Sequence, residues 1–382
     1  MNIGWFGLGK LGMPCAETIA RKGHTVTGYD IVDASSDAVN VVKDPARAVV
    51  GQDFVFVAVQ TPHDPMYGGE HPITHLPNKD FGLDSVKDVL TEIQRYATDD
   101  TIVVLISTVL PGTTRREFAP LIKKGKLIYN PYLIAMGTVE WDMVNPDMVI
   151  VGGEYPNDKD ANALVQFYGS IMENDPHYNI GTWEEGEATK IFYNTFISAR
   201  LSLVNMIQDV AQRVGNMNVD VVTDSLSNAG KRITSAAYMK AGMGDGGPCH
   251  PRDNIALRWL ADKLDLGYNL FDAIAYSREV QAKHLAEECL KHGPKVCLTS
   301  TSYKDNVDIT TGSYALLVKH YIEELGGVVS TDIDEQCVVI LRVHESDMFT
   351  VPNFCVVVDP WRSYTTDNDT VKVVHYGNTR QV

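Results

Sequence analysis

Long apolar runs are absent from this chain of 382 residues, and nothing in it approaches the roughly 20 consecutive apolar residues of a membrane span. The N-terminus opens on a strand-like pattern instead of a charged and then apolar leader, so a cytoplasmic protein without a membrane partner is expected. Basic residues are in deficit: 33 Lys and Arg stand against 49 Asp and Glu, a formal net charge of -16. Phosphate affinity needs clustered Lys and Arg, so nucleic acid is not an expected partner. Cysteine is scarce as well. The six residues Cys15, Cys249, Cys289, Cys297, Cys337 and Cys355 show no Cys-x-x-Cys spacing, so neither a zinc site nor a disulfide framework is expected and all six are read as reduced. His63, His71 and His75 fall in one irregular stretch but fit no standard metal spacing, so no metal is expected. Low-complexity tracts and short repeats are lacking too.

What is present is an alternation. Short apolar runs at Asn2–Phe6, Thr25–Asp30, Phe54–Val59, Thr101–Ile106, Lys126–Tyr129 and Met148–Val151 are separated by amphipathic segments, which predicts a parallel, doubly wound α/β sheet. From Glu184 to about Leu266 the period becomes helical, with Ile191, Phe192, Thr195, Phe196, Ala199, Leu203, Ile207 and Val210 recurring on one broad face. One long helix followed by shorter ones is expected, its apolar face turned either to a partner subunit or to its own domains. Alternation returns from Lys295, with strands at Val296–Thr299, Val328–Ile333, Val338–Val343, Cys355–Asp359 and Val371–Val374 and a helix over Ser313–Leu325. The fold class is therefore two Rossmann-like parallel-sheet domains, 1–183 and 286–382, joined by a central helical region, 184–285.

Two motifs carry chemistry. Gly7-Leu8-Gly9-Lys10-Leu11-Gly12 follows the first strand and opens a helix, the context that gives this glycine spacing its meaning. The first glycine permits the turn, the second admits a pyrophosphate to the backbone, and the third lets helix and strand pack. Asp30, at the end of the second strand, is placed to accept from both ribose hydroxyls and to repel a 2′-phosphate, so NAD is the expected cofactor. The second motif is Gly242-Met243-Gly244-Asp245-Gly246-Gly247-Pro248-Cys249-His250-Pro251-Arg252-Asp253. A cysteine alone is usually a small buried hydrophobe. Framed by a flexible glycine run, beside His250 and Arg252, it reads as a nucleophilic thiol whose ordinary pKa of about 8.5 is lowered by cationic neighbours.

Beyond these motifs the chain carries Gln60-Thr61-Pro62, Ser107-Thr108-Val109-Leu110-Pro111-Gly112-Thr113-Thr114, Asn130-Pro131, Gly137-Thr138 and Asn145-Pro146-Asp147. It continues with Glu187-Ala188-Thr189-Lys190, Asn194, Arg232-Ile233, Tyr303-Lys304 and Asp359-Pro360-Trp361-Arg362. In this set, over nearly its whole length, it resembles the nucleotide-sugar dehydrogenase family of the UDP-glucose and GDP-mannose 6-dehydrogenases. The resemblance implies an NAD-dependent, four-electron oxidation of a sugar primary alcohol to a carboxylate, with UDP-glucose the expected substrate. Cys249 would form a thiohemiacetal and then a thioester. Lys190 would stabilise the oxyanion, Asn194 and Thr108 would orient alcohol and water, and Asp253 would manage protons. Leu11, Thr61 and Thr108 would line the cofactor. Arg232 would reach the substrate of a neighbouring subunit in a dimer built on the central helix, Lys304 would sit in the interdomain contact, and Gly242, Gly244, Gly246 and Gly247 would admit the diphosphate. Each basic residue also reads as plain surface charge, and Lys190 with Asn194 as a solvated helix stripe.

Departures from the family pattern are specific. Tyr132 and Met136 occupy the places of two glutamates, the first of them assigned to thioester hydrolysis, and Glu140 is the nearby carboxylate that would take over; Thr311 replaces an arginine and Arg252 a lysine. A phenol with an ordinary pKa of about 10 is a poor base at neutral pH. Two alternatives stay open: a single-step β-hydroxyacid dehydrogenase, which leaves 286–382 and the cysteine loop unexplained, and a catalytically weak homologue that binds NAD and a nucleotide sugar.

Overall fold

Runs of β-branched and aromatic residues too short for helices form the strands of the first of two compact units, Met1–Ala199 and Arg200–Val382. The computed structural model describes residues 1–62, 72, 76–77, 79–135, 137–235, 240–245, 247 and 250–379, with the side chains of residues 252, 253 and 256 left out. Cys249, Gly246, Met136 and the three histidines of the irregular stretch lie outside the described residues, as do the side chains of Asp253 and Arg252.

In the first unit the strands are β1 (Asn2–Phe6), β2 (Thr25–Tyr29), β3 (Asn40–Val42), β4 (Phe54–Val57), β5 (Ile102–Leu105), β6 (Lys126–Tyr129), β7 (Met148–Gly153) and β8 (His177–Thr182). Helices α1 (Gly12–Arg21), α2 (Asp84–Gln94), α3 (Val139–Val144) and α4 (Lys159–Gly169) lie between them. The order across the sheet is β3-β2-β1-β4-β5-β6-β7-β8, parallel through β6. Both faces are covered, because alternate residues of β4 enter opposite cores: Phe54 and Phe56 one, Val55 and Val57 the other. The winding reverses between β1 and β4, which opens a crevice at the carboxyl ends of the strands.

One strand departs from the parallel expectation. β7 runs antiparallel to β6, with Tyr129 opposite Gly152, because the segment from Asn130 to Pro146 turns back with a single short helix instead of crossing over. That segment therefore stays at the carboxyl edge. From the end of β8 the 32-residue α5 (Trp183–Val214) begins beside the amino end of β6, where the Trp183 indole donates to the Leu127 carbonyl at 3.0 Å.

The second unit contains α6 (Val219–Ser227), α7 (His250–Lys263), α8 (Leu270–Leu290) and α9 (Tyr314–Glu324), with strands β9 (Lys295–Leu298), β10 (Val328–Ser330), β11 (Val339–Leu341), β12 (Val356–Asp359) and β13 (Lys372–His375). The sheet is parallel, ordered β10-β9-β11-β12-β13. Val296, Leu298, Val339 and Leu341 pack against α8 and α9, whereas the opposite face, Cys297, Ile340 and Val357, is covered by Phe349, Val351 and Tyr364 from connections without helices.

The expectation of six reduced cysteines needs correction. Cys297 and Cys337 form a disulfide across 40 residues, with their Cα atoms 6.2 Å apart. The cause is topological: the connection from β10 to β11 passes across β9, which lies between them, and brings Cys337 onto Cys297. Spacing along the sequence contains no trace of that crossing.

Candidate active site

The crevice between β1 and β4 is shaped by its glycines. Gly7 has φ +95°, a left-handed conformation that other residues adopt only with strain. A Cβ on Gly12 would come within 1.9 Å of the Gly7 carbonyl oxygen, whereas Gly9 faces open space. This is the arrangement a pyrophosphate needs: a turn, a closely seated helix N-terminus, and a bare backbone between them. Asp30 accepts from the Leu8 amide at 2.6 Å through one oxygen and from the Val32 amide at 2.9 Å through the other, so the carboxylate is fixed at the rim with lone pairs to spare. These residues fit NAD. A 2′-phosphate would meet a fixed negative charge, and the specificity constant for NADP is expected to be lower than for NAD by about 30-fold, corresponding to roughly 2 kcal/mol. Steady-state kinetics with both cofactors check this, and equal use would remove Asp30 from the role.

At the carboxyl ends of β4 and β5, Thr61 donates its hydroxyl to the Thr108 carbonyl at 2.7 Å and Ser107 donates to the Val59 carbonyl at 2.5 Å. Thr108 is half-buried there. The helix α5 climbs past this edge. Its Glu187, fully buried, accepts from the amides of Gly112 at 2.5 Å and Thr114 at 2.6 Å. Burial pushes its carboxyl up, and hydrogen bonding from Thr114, side chain and amide, and from the Gly112 amide pulls the other way. One turn later Lys190 donates from Nζ to the Tyr132 carbonyl at 2.7 Å. Burial holds this ammonium below its ordinary range, and no carboxylate pairs with it among the described residues. Asn194, a further turn on, is exposed.

Tyr132 is turned inward. Its phenol packs against the core beneath β1 and β4 and meets the Tyr168 hydroxyl at 3.0 Å; Tyr168 in turn donates to Asn130, whose amide donates to the Ile150 carbonyl at 2.7 Å. Burial holds the Tyr132 phenol well above its ordinary range. It therefore offers no base. Glu140 is exposed on α3 and pairs with Arg21 of α1 at 2.8 Å, which ties it to the surface.

In the second unit a cavity of about 470 Å³ opens at the carboxyl ends of β9 and β11, where that sheet reverses its winding. Tyr303, Lys304, Tyr314, His344 and Trp361 line it together with Gly244. The His344 ring lies 2.9 Å from the Ser302 hydroxyl. Sequence reasoning read the glycine run as flexible, but three of its glycines lie on aromatic rings. A Cβ would fall 2.3 Å from the Trp361 ring at Gly242, 2.2 Å from Tyr314 at Gly244 and 2.8 Å from Tyr303 at Gly247. Asp245 is held from α8 by Arg278 at 2.5 Å, and the Arg278 guanidinium also covers the Tyr314 ring. Buried Asp359 accepts from the amides of Trp361, Ser363 and Tyr364 and so sets the Trp361 turn. Tyr303, Tyr314 and Trp361 escaped sequence reasoning as site residues because only the folded sheet brings their rings under the glycines, and Arg278 because only the fold brings α8 to Asp245. Arg232 and Thr311 are exposed.

The three free cysteines among the described residues are buried, with the thiols of Cys15 and Cys289 pushed up to about 12 by burial. None is suited to act as a thiolate.

Two family models match the chain. That of the UDP-glucose/GDP-mannose dehydrogenase family, NAD binding domain, matches residues 33–172, and that of the central domain of the same family matches residues 184–279, together more than half of the chain. The GDP-mannose 6-dehydrogenase of Pseudomonas putida is 27% identical over 90% of this chain and 83% of its own length. The UDP-glucose 6-dehydrogenase of Rickettsia prowazekii is 22% identical over 83% and 77%. A ternary complex of GDP-mannose dehydrogenase from Pseudomonas aeruginosa, 22% identical, shares the fold with a TM-score of 0.83 over 98% of this chain and 99% of that one. The glycine turn with its carboxylate, the two wound sheets and both family models agree: the chain belongs to the UDP-glucose/GDP-mannose dehydrogenase family, with NAD as its cofactor.

Proposed function

We propose that the chain is a nucleotide-sugar 6-dehydrogenase that converts the primary alcohol of the sugar to a carboxylate in two oxidations. The reading is carried by Lys190: a half-buried cation without a carboxylate partner among the described residues, held by a backbone carbonyl at the carboxyl edge of the cofactor-binding sheet. Two molecules of NAD, bound in succession, would supply the hydride acceptors, one for each oxidation. In the first, the alcohol loses a hydride and a proton and becomes the aldehyde. The Cys249 sulfur then adds to the aldehyde carbon, the thiohemiacetal loses a second hydride and its proton to become a thioester, and water cleaves the thioester to acid and free thiol. Lys190 stabilises the oxyanion of the sulfur adduct, because a desolvated cation acts strongly on charge that develops beside it. Thr108 and Asn194 orient the alcohol and the attacking water, and Asp253 handles protons.

The cavity of the second unit supports 286–382 as the part that binds the nucleotide, with Lys304 at its wall and Gly242, Gly244, Gly246 and Gly247 admitting the diphosphate. Segment 1–183 holds NAD, with Gly7, Gly9, Leu11, Gly12, Asp30, Thr61 and Thr108 in contact with it. Segment 184–285 forms a homodimer through α5, on which Phe192 is 58% and Phe196 60% exposed, more apolar surface than a helix leaves to water without a partner. Arg232 would then serve the substrate of the neighbouring subunit.

UDP-glucose is the first substrate to test. The names of the Pseudomonas relatives favour GDP-mannose as the second reading. Incubation with NAD and a panel of sugar nucleotides and β-hydroxyacids, counting NADH per substrate consumed, separates the alternatives. Two NADH per sugar nucleotide is the expected result. One NADH from a hydroxyacid supports the single-step enzyme, and none from any substrate supports the catalytically weak homologue.

A further inference from the structure

The carboxylate of Glu187 is fully buried, yet no cation pairs with it among the described residues. Its partners are two backbone amides, Gly112 and Thr114, which close the loop begun by Thr108. On its other side the same loop is held by the Thr61 hydroxyl on the Thr108 carbonyl. Three residues beyond Glu187, the helix delivers Lys190 to the Tyr132 carbonyl. One turn of α5 thus grips two separate loops of the carboxyl edge, one bearing Thr108 and one bearing Tyr132.

A carboxylate suits this grip for a reason of valence. Two converging amides need an acceptor at each oxygen, and an ionised carboxylate is acceptor-only. A glutamine would present an NH₂ to one of them, leaving two donors face to face at a fully buried position. We propose that Glu187 is a positioning residue, which fixes Thr108 relative to Lys190 so that the oriented hydroxyl and the oxyanion-binding ammonium act on one carbon. The inference rests on the dehydrogenase reading of Lys190 and Thr108. Small displacements suffice for a large effect, because misplacing a group by about 1 Å costs up to roughly 10²-fold in rate.

The test is a double-substitution cycle in the full-length protein with NAD and the sugar nucleotide that it oxidises. Glu187→Gln is expected to lower kcat by about 30-fold while the KM for NAD stays within about twofold. On a Thr108→Ala background the same substitution is expected to cost less than about threefold, since the group that it positions is gone. If Glu187→Gln does not fold, Glu187→Asp keeps the charge but withdraws it by one methylene, and the same cycle is run with an intermediate loss of kcat. An active wild-type chain in which the variant melts earlier but keeps kcat, or in which the two substitutions multiply independently, overturns the inference and leaves the dehydrogenase reading intact. A wild-type chain that yields no NADH from any sugar nucleotide overturns both.

Discussion

Replacing Lys190 by methionine is expected to lower kcat by about 10³-fold without lowering the melting temperature. The two halves of this result have one origin. The ammonium is half-buried, its bond goes to the neutral Tyr132 carbonyl, and burial depresses its pKa. Depression means that burial penalises the charged form on folding, so an apolar side chain of similar length relieves that penalty, while the Tyr132 carbonyl loses one bond worth about 1 kcal/mol. The two offset each other. For a base whose pKa is lowered on folding, the contribution to stability is present above its unfolded value, near 10.5, and is lost as pH falls through the folded one. Any advantage of the methionine variant should therefore shrink as the pH rises toward 10. The expected loss of kcat rests on the proposed oxyanion role, for which single donors are worth about 10² to 10³. Unchanged turnover with a lowered melting temperature would make Lys190 a structural residue and remove the main support for the proposed reaction.

The second large effect concerns Tyr132, where the family places a glutamate. From sequence alone, restoring the acid by Tyr132→Glu is expected to speed thioester hydrolysis, provided the loop still aims the side chain at the sulfur. The phenol instead points into the core, bonded to Tyr168. A carboxylate in that position is an uncompensated buried charge, and Tyr132→Glu is expected to cost about 3 kcal/mol relative to Tyr132→Phe, with no gain in turnover. The sign of the pH dependence follows. Burial raises the folded pKa of the new acid, so its penalty is small below the unfolded value of about 4.3 and grows as pH rises through the folded one. Thermal melts of the two variants at pH 5 and pH 8 should diverge at the higher pH. A glutamate variant that is as stable as the phenylalanine variant at pH 8 and turns over faster than the wild type would show that the side chain swings out to the site.

The strand pattern was legible where apolar runs were bounded by turn residues. Asn2–Phe6 and Lys126–Tyr129 are observed with the expected bounds, and the other expected strands are observed with ends shifted by one to three residues. β3 has only three residues, and β8, His177–Thr182, carries polar residues at most positions, so neither stood out. The reversal of β7 and the Cys297–Cys337 bond depend on which strands become neighbours, a choice that no local period records. At the candidate site, the glycines and Asp30 could be read because their spacing is dictated by the turn itself. Glu187 was visible as part of a motif, but its partners are backbone amides, which are the same in every sequence.

The aromatic bed under the glycine loop bears on attempts to alter substrate preference through the proposed nucleotide-binding cavity. Tyr303, Tyr314 and Trp361 line the cavity of the second unit, which makes them obvious targets for redesign. They are also the surfaces on which Gly247, Gly244 and Gly242 rest, closer than any Cβ tolerates. A smaller residue at any of the three rings leaves a void beneath backbone, not beneath an adaptable side chain, and a larger residue in the loop cannot fill that void unless its Cβ enters at the right angle. Glycine and ring are therefore units of joint variation: a library that randomises the cavity wall alone would sample mostly chains with a displaced loop, whereas one that pairs each ring with its glycine explores substrate preference with the loop in place.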